Sequence, residues 1–457
     1  EGTAIPLPVF QNGTTQNDNG ENITTNTTQY FNLTSYAAEN LSIEVVEVSD
    51  LDEVIFYLTG KQLNHKEVQI EEDEEYTRIM KNLRDLLCSR VDKTEAELHK
   101  EGVSVNETVA KRVEEQKGKA ENATLQKDYY SAASYCFTAS IALRTNYYVQ
   151  KKPALPLLWD RFLKLEDKVK VLEQNLSQQK IETITDLQTM IIVKDRLDDV
   201  MEQIAVFRDL RDLQADKKDE EHKKEAYAIL SYSEERYFSA VAWTQFFSMG
   251  GKSLQLDQEH IRQSCQQKIL EADERYQYIG LFIGENNLDA IAKKIISAKE
   301  ASEKGEYELC LMKAIQAKGD TNAVLSTMGL SSDEFTPILE SKMVAVKRVI
   351  AENTAEGKFP ILGYSYFRYA NSLKEQEPVT ALFYLEYALE TSDLSIYFPE
   401  EKTVLEKVSS RFSLDKKRLE GFAVGFLLAL ILLQLFHHKK KVRRQADKYL
   451  KELGIKR

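Results

Sequence analysis

The sequence predicts a mainly α fold: tetratricopeptide-like helical hairpins, a long coiled-coil hairpin, a small strand-helix unit near the N-terminus and one C-terminal transmembrane helix. Three observations carry this. Helical apolar spacing runs from an acidic connector, "EEDEE" at 71–75, to about Ser410. Four β-branched residues, Ile43, Val45, Val46 and Val48, fall within six positions and fit a pleated surface better than a helix. Leu419 to Phe436 is a nearly unbroken apolar run, with Glu420 at its border and Gln434 near its end.

At the N-terminus, "EGTAIPLPVF" is apolar and strand-like, and the polar tract at 11–40 has no periodicity and reads as a loop. The strand at 43–48 follows. Ser49 or Asp50 can then cap a helix in which Leu51, Val54, Ile55 and Leu58 share a face, with Gly60 as its left-handed stop. A lone buried strand leaves backbone groups unpaired on both edges, so this one needs a partner strand.

In the helical region, Leu158, Phe162, Leu165, Val169, Leu172 and Leu176 step by three and four, and Val193, Leu197, Val200, Ile204 and Phe207 repeat the stepping. These read as the two arms of a hairpin over about 156–225, with a coiled coil between subunits as the alternative. Four segments, beginning at Asp128, Glu235, Gly305 and Gln376, resemble one another and place a small residue at Ala133, Ala240, Cys310 and Ala381. A small residue there lets a second helix approach closely, as in divergent helical hairpins.

Charge is uneven along the chain. From Lys416 onward the net charge is +9, so residues 1–415 carry about −21 of the total −12. An acidic body is a poor candidate for nucleic acid, which demands a basic footprint. The basic cluster Lys439 to Arg444 follows the apolar run and predicts a cytoplasmic tail, with the bulk of the chain outside the cell membrane and the lipid bilayer as one partner. Eight N-x-S/T acceptors agree with export: Asn12, Asn22, Asn26, Asn32, Asn40, Asn106, Asn122 and Asn175. Cys88, Cys136, Cys265 and Cys310 are too widely spaced for a zinc site. Cys88 with Cys136 and Cys265 with Cys310 is the favoured pairing, because each would join neighbouring helices; free buried thiols are the alternative.

No catalytic or metal-binding spacing is present: no H-E-x-x-H, paired C-x-x-C, G-x-S-x-G or phosphate loop. His65, His99, His222 and His260 are isolated in charged surroundings, and His437 and His438 sit in the basic cluster. Catalytic residues, cofactor and metal are therefore all expected to be none. The aromatics of "YYSAASYCF" and "YFSAVAWTQFF" read as core.

The stretch "IEVVEVSDLDEVIFYLTGKQL", preceded by "EGTAIPLPVF", resembles the last strand and helix of a Lon-type protease domain. With a helical region and an apolar C-terminal run behind it, the layout is similar to archaeal membrane-anchored Lon-like serine proteases. The resemblance covers about 60 residues plus the architecture. It implies a Ser-Lys dyad upstream of residue 1, since no serine or lysine here matches either position; Lys61 lies past the matched helix. On this reading the domains are a C-terminal remnant of a Lon-like protease domain at 1–63, an extracellular helical domain at 64–412, a transmembrane helix at 413–438 and a tail at 439–457. The strand at 43–48 would pair with an upstream protease fragment released near Glu1, and the assembly would be a homo-oligomer. The alternative is a non-enzymatic cell-surface scaffold or receptor-like interaction protein.

Overall fold

The computed structural model describes residues 6–16, 22–46, 48, 51–62, 68–213, 220–284, 288–328, 335–399, 432–434, 437 and 439–441. The chain divides into two compact units, Glu1–Val68 and Gln69–Arg457.

The first unit opens with an antiparallel hairpin, β1 (Pro6–Gln16) and β2 (Asn22–Asn32), in continuous register from Pro6 opposite Asn32 to Gln16 opposite Asn22. This corrects the loop expected at 11–40. Its threonines are β-branched and suit strands, but without alternating apolar residues no period of two shows in the sequence. A short helix, α1 (Leu33–Tyr36), runs into a π-helical turn at Ala37–Leu41. The strand expected at 43–48 is overturned: described residues 43–46 and 48 belong to no strand, and Ile43, Val46 and Val48 are exposed. With no second strand beside them, their β propensity has nothing to pair with. Helix α2 (Leu51–Thr59) ends at Gly60, whose φ is +70°. Its apolar side is uncovered, with Leu51 69% and Leu58 79% exposed. Among the residues of this unit whose burial is described, which exclude both strands, Ala37 alone is buried.

The second unit is entirely helical among its described residues, apart from an isolated bridge between Thr183 and Ser253. Its first helices are α3 (Glu74–Lys100), α4 (Glu107–Leu125), α5 (Tyr129–Lys151) and α6 (Leu155–Leu176). Then come α7 (Ile184–Leu213), α8 (Glu220–Trp243) and α9 (Gln258–Ile283). The last are α10 (Asp289–Glu303), α11 (Tyr307–Thr327), α12 (Phe335–Ala355), α13 (Ile361–Leu373) and α14 (Pro378–Ser392). Asp73, Asn106, Asp128 and Asp257 cap α3, α4, α5 and α9, each side chain accepting a free N–H of the first turn. Proline stands in the first turn of α6 and α14, where its missing N–H costs nothing.

Helices α4 and α5, α7 and α8, α10 and α11, and α13 and α14 pack as consecutive pairs. The small residues Ala133, Ala240, Cys310 and Ala381 are all buried. The four resembling segments are not equivalent in place, however: they open α5, α11 and α14 but close α8. Close approach is sharpest at Gly363 of α13, where a Cβ would collide with Ser392 on α14, and is tight also at Gly319 of α11, where a Cβ would stand 2.6 Å from a ring carbon of Tyr387 on α14.

The coiled-coil expectation also changes. The seam residues of α6 and α7 are buried together, and Phe162 stacks on Phe207 at 4.0 Å. Yet α7 packs at least as much on α8 and α11, and Ile184, Leu187, Ile191, Ile192 and Val193 are buried around its whole girth. A helix buried on every side is a core helix, so the N-terminal part of α7, Ile184 to Val193, runs through the body instead of projecting from it, while beyond Met201 one side of α7 is exposed. The membrane helix expected at 413–438 lies almost wholly outside the described residues. Among those described, no helix is long and apolar enough to cross a membrane, because the long helices carry charge along their length, as Lys313, Lys318 and Asp320 do in α11. Among the described residues the fold class is therefore mainly α, without the strand expected at 43–48.

Candidate functional site

A cleft of about 210 Å³ opens among α3, α5, α7, α8, α13 and α14. Its floor is buried: Leu83 and Leu87 from α3, Tyr130 and Ala133 from α5, Arg196 from α7, and Ser239 and Trp243 from α8. Its rim is half-buried, formed by Ser134, Phe137, Thr138, Arg236, Tyr369 and Tyr384. Helical spacing explains the placing. Tyr130, Ser134 and Phe137 follow at intervals of four and three on α5, as do Arg236, Ser239 and Trp243 on α8. The rings form an edge-to-face set: Tyr130 against Trp243 at 6.1 Å, Tyr130 against Tyr369 at 5.8 Å and Tyr369 against Tyr384 at 4.7 Å.

Two guanidiniums reach this cleft, and they differ. Arg236 donates through Nε to Asp199 at 2.7 Å and lies 3.5 Å from Asp195. Burial is the largest single effect and works against its charge, but Asp199, Tyr232 and Asp195 together more than offset it and its pKa rises. Arg196, only 6% exposed, donates through Nε to Ser239 Oγ at 3.0 Å and reaches the Ile192 carbonyl at 3.5 Å. Its guanidinium lies over the Trp243 ring, 5.0 Å from the centroid. Among the described residues no carboxylate pairs with it. Burial, and then the like charge of Arg236, lower its pKa. Burial raises the Tyr130 and Tyr369 phenols, so both stay protonated and can donate.

Elsewhere the buried charges are answered. Glu235, fully buried, takes Arg90 through both oxygens at 2.5 Å and Arg144 at 3.0 Å. Lys318 holds Glu271 at 2.6 Å and Glu390 at 2.9 Å, with Lys268 also on Glu390. Lys313 reaches Asp198 at 2.7 Å. A larger cavity of about 740 Å³ beside α3 and α4 contains His99, but its Lys117 is already paired with Glu95 at 2.9 Å. No group of His, Cys, Asp or Glu among the described residues could hold a metal.

The residues marked by the sequence lie elsewhere. Asn40, Asn106, Asn122 and Asn175 are exposed, and Asn106 uses its side chain to cap α4. Asn12 stands opposite Asn26 in the hairpin, which also contains Asn22 and Asn32. Cys88 bonds to Cys136 with Cα atoms 4.9 Å apart, and Cys265 to Cys310 at 5.8 Å, tying α3 to α5 and α9 to α11. His260 lies 2.8 Å from the helix-capping Asp257. Sequence reasoning missed Arg196, Arg236, Tyr369 and Tyr384 altogether, and read Tyr130 and Trp243 as plain core. The charged run Lys194, Asp195, Arg196, Asp198 and Asp199, directly after the apolar "MIIV" of the same helix, was the available signal. No known protein family, curated protein or solved structure matches this chain.

Proposed function

We propose that the helical body is an exported, non-enzymatic interaction scaffold that receives part of a partner in the cleft lined by Arg196. The observation that carries this is a preformed cleft whose floor is aromatic and whose buried Arg196 guanidinium, among the described residues, makes no direct ion pair with a carboxylate. Buried ion pairs and two disulfides hold the surrounding helices, which suits a rigid frame for recognition. The cysteine pairs and the exposed Asn40, Asn106, Asn122 and Asn175 support export.

The test uses the full chain in its cells of origin. A photo-crosslinker at Phe137 on the rim should capture one defined partner that the same label at exposed Leu270 on α9 does not. Equal capture from both positions, or covalent labelling of a serine of this chain by a fluorophosphonate, overturns the reading.

A second reading, that this scaffold is the C-terminal part of a Lon-like serine protease, is favoured by the first unit. There Ile43, Val46, Val48, Leu51 and Leu58 are exposed, and from Thr34 onward Ala37 alone is buried among the described residues, as expected of a domain fragment whose covering surface is supplied by another segment. The genomic frame upstream of the Glu1 codon tests it: a serine in a Pro-x-Ser-Ala-Gly turn followed by a lysine supports it, and a signal peptide ending there refutes it.

A further inference from the structure

We infer that the cleft binds a carboxylate carried beside an aromatic ring, the guanidinium of Arg196 taking the carboxylate and the rings of Tyr130, Tyr369, Tyr384 and Trp243 enclosing the aromatic group. This rests on the scaffold reading and names the chemistry of its ligand. Three observations select that chemistry.

The first is the charge. Arg236 is already answered by Asp199, so among the described residues Arg196 is the cation of this cleft with no carboxylate in direct ion-pair contact, although the Asp195 charge lies near enough to act on it. One planar guanidinium matches one planar monoanion, whereas a phosphate monoester dianion would leave a buried negative charge unanswered. The second is the wall. Four aromatic rings in edge-to-face contact present both ring faces and ring edges, which suit another ring better than an aliphatic chain. The third is size. About 210 Å³ admits one ring and a short acid but not a folded segment. The Ser134 and Thr138 hydroxyls donate to the backbone at 3.0 and 3.1 Å. That leaves Arg196 and the protonated phenols as donors to the anion.

Free aromatic acids and peptides ending in phenylalanine share this chemistry, and the experiment separates them. The full chain is titrated calorimetrically with 3-phenylpropionate, 3-phenylpropionamide, inorganic phosphate, and a peptide ending in phenylalanine as free acid or amide. Binding of the acids, at least about tenfold weaker for the amides and for phosphate, is expected. Peptide acid tighter than phenylpropionate identifies a peptide terminus as the source; the reverse order identifies a free acid. Arg196→Gln should abolish binding of the acids, and Ser134→Phe should block the cleft from its rim, with both variants checked for unchanged helical circular dichroism. Equal binding of acid and amide, full binding by Arg196→Gln, or no binding by the unaltered chain overturns the assignment. If Arg196→Gln still cross-links its partner through Phe137 while no acid binds, this inference falls and the scaffold reading stands.

Discussion

Glu235 and Arg196 are two buried charges on neighbouring helices, α8 and α7, and the protein treats them oppositely. Glu235 meets two arginines, one of them through both carboxylate oxygens, and no face of it is left open. Arg196 meets a serine, a carbonyl and an indole face, with no carboxylate among the described residues. A saturated buried charge belongs to the architecture, because any further partner would have to displace one it already has. An unsaturated one that lines a cleft has an unmet requirement that a ligand can supply.

The comparison breaks first at Glu235. Glu235→Gln leaves Arg90 and Arg144 buried against a neutral amide, and urea unfolding should show a loss of about 3–5 kcal/mol. Next in size is the tie behind the cleft. Replacing Cys88 and Cys136 with serine opens a cross-link spanning 48 positions and should cost about 2–4 kcal/mol by the same measurement.

A third effect depends on pH. Burial, reinforced by Asp199, raises the Asp195 carboxyl to about 6, against the pull of Arg236, Lys313 and Arg196. The folded chain therefore binds this proton more readily than the unfolded chain. Its stabilising contribution is present below about pH 4 and is lost as pH rises to about 6. Asp195→Asn should reduce this fall, by on the order of 2 kcal/mol, between unfolding curves at pH 4 and pH 7. The smallest effect belongs to Arg196. Arg196→Met should change stability by less than about 1 kcal/mol, since no ion pair is broken and a buried charge is removed. A loss as large as that of Glu235→Gln would place Arg196 with the architecture and end the contrast.

Much of the helical body was legible because its information is periodic. The three-four stepping of Leu158 to Leu176 and of Val193 to Phe207 reports buried faces, and those residues are buried, apart from the half-buried Leu172. The cleft was not legible in this way. Tyr130, Arg196, Trp243 and Tyr384 are separated by up to about 250 positions, and the pattern that marks Tyr130 and Trp243 as core is the same whether a ring faces a void or a side chain. The strand at 43–48 failed for a related reason: β-branched residues show what a segment could become beside a partner, and not whether the partner is there.

The sequence by itself determined the mainly helical class and the buried faces at 158–176 and 193–207, because helical spacing depends on neighbours within a few turns. Only the tertiary structure decided that the N-terminal part of α7 is central, that Glu235 is saturated and that Arg196 is not. Those facts depend on which distant side chains arrive at the same point. Propensity and periodicity act over a few turns of one helix, whereas charge pairing and cavities are made between helices.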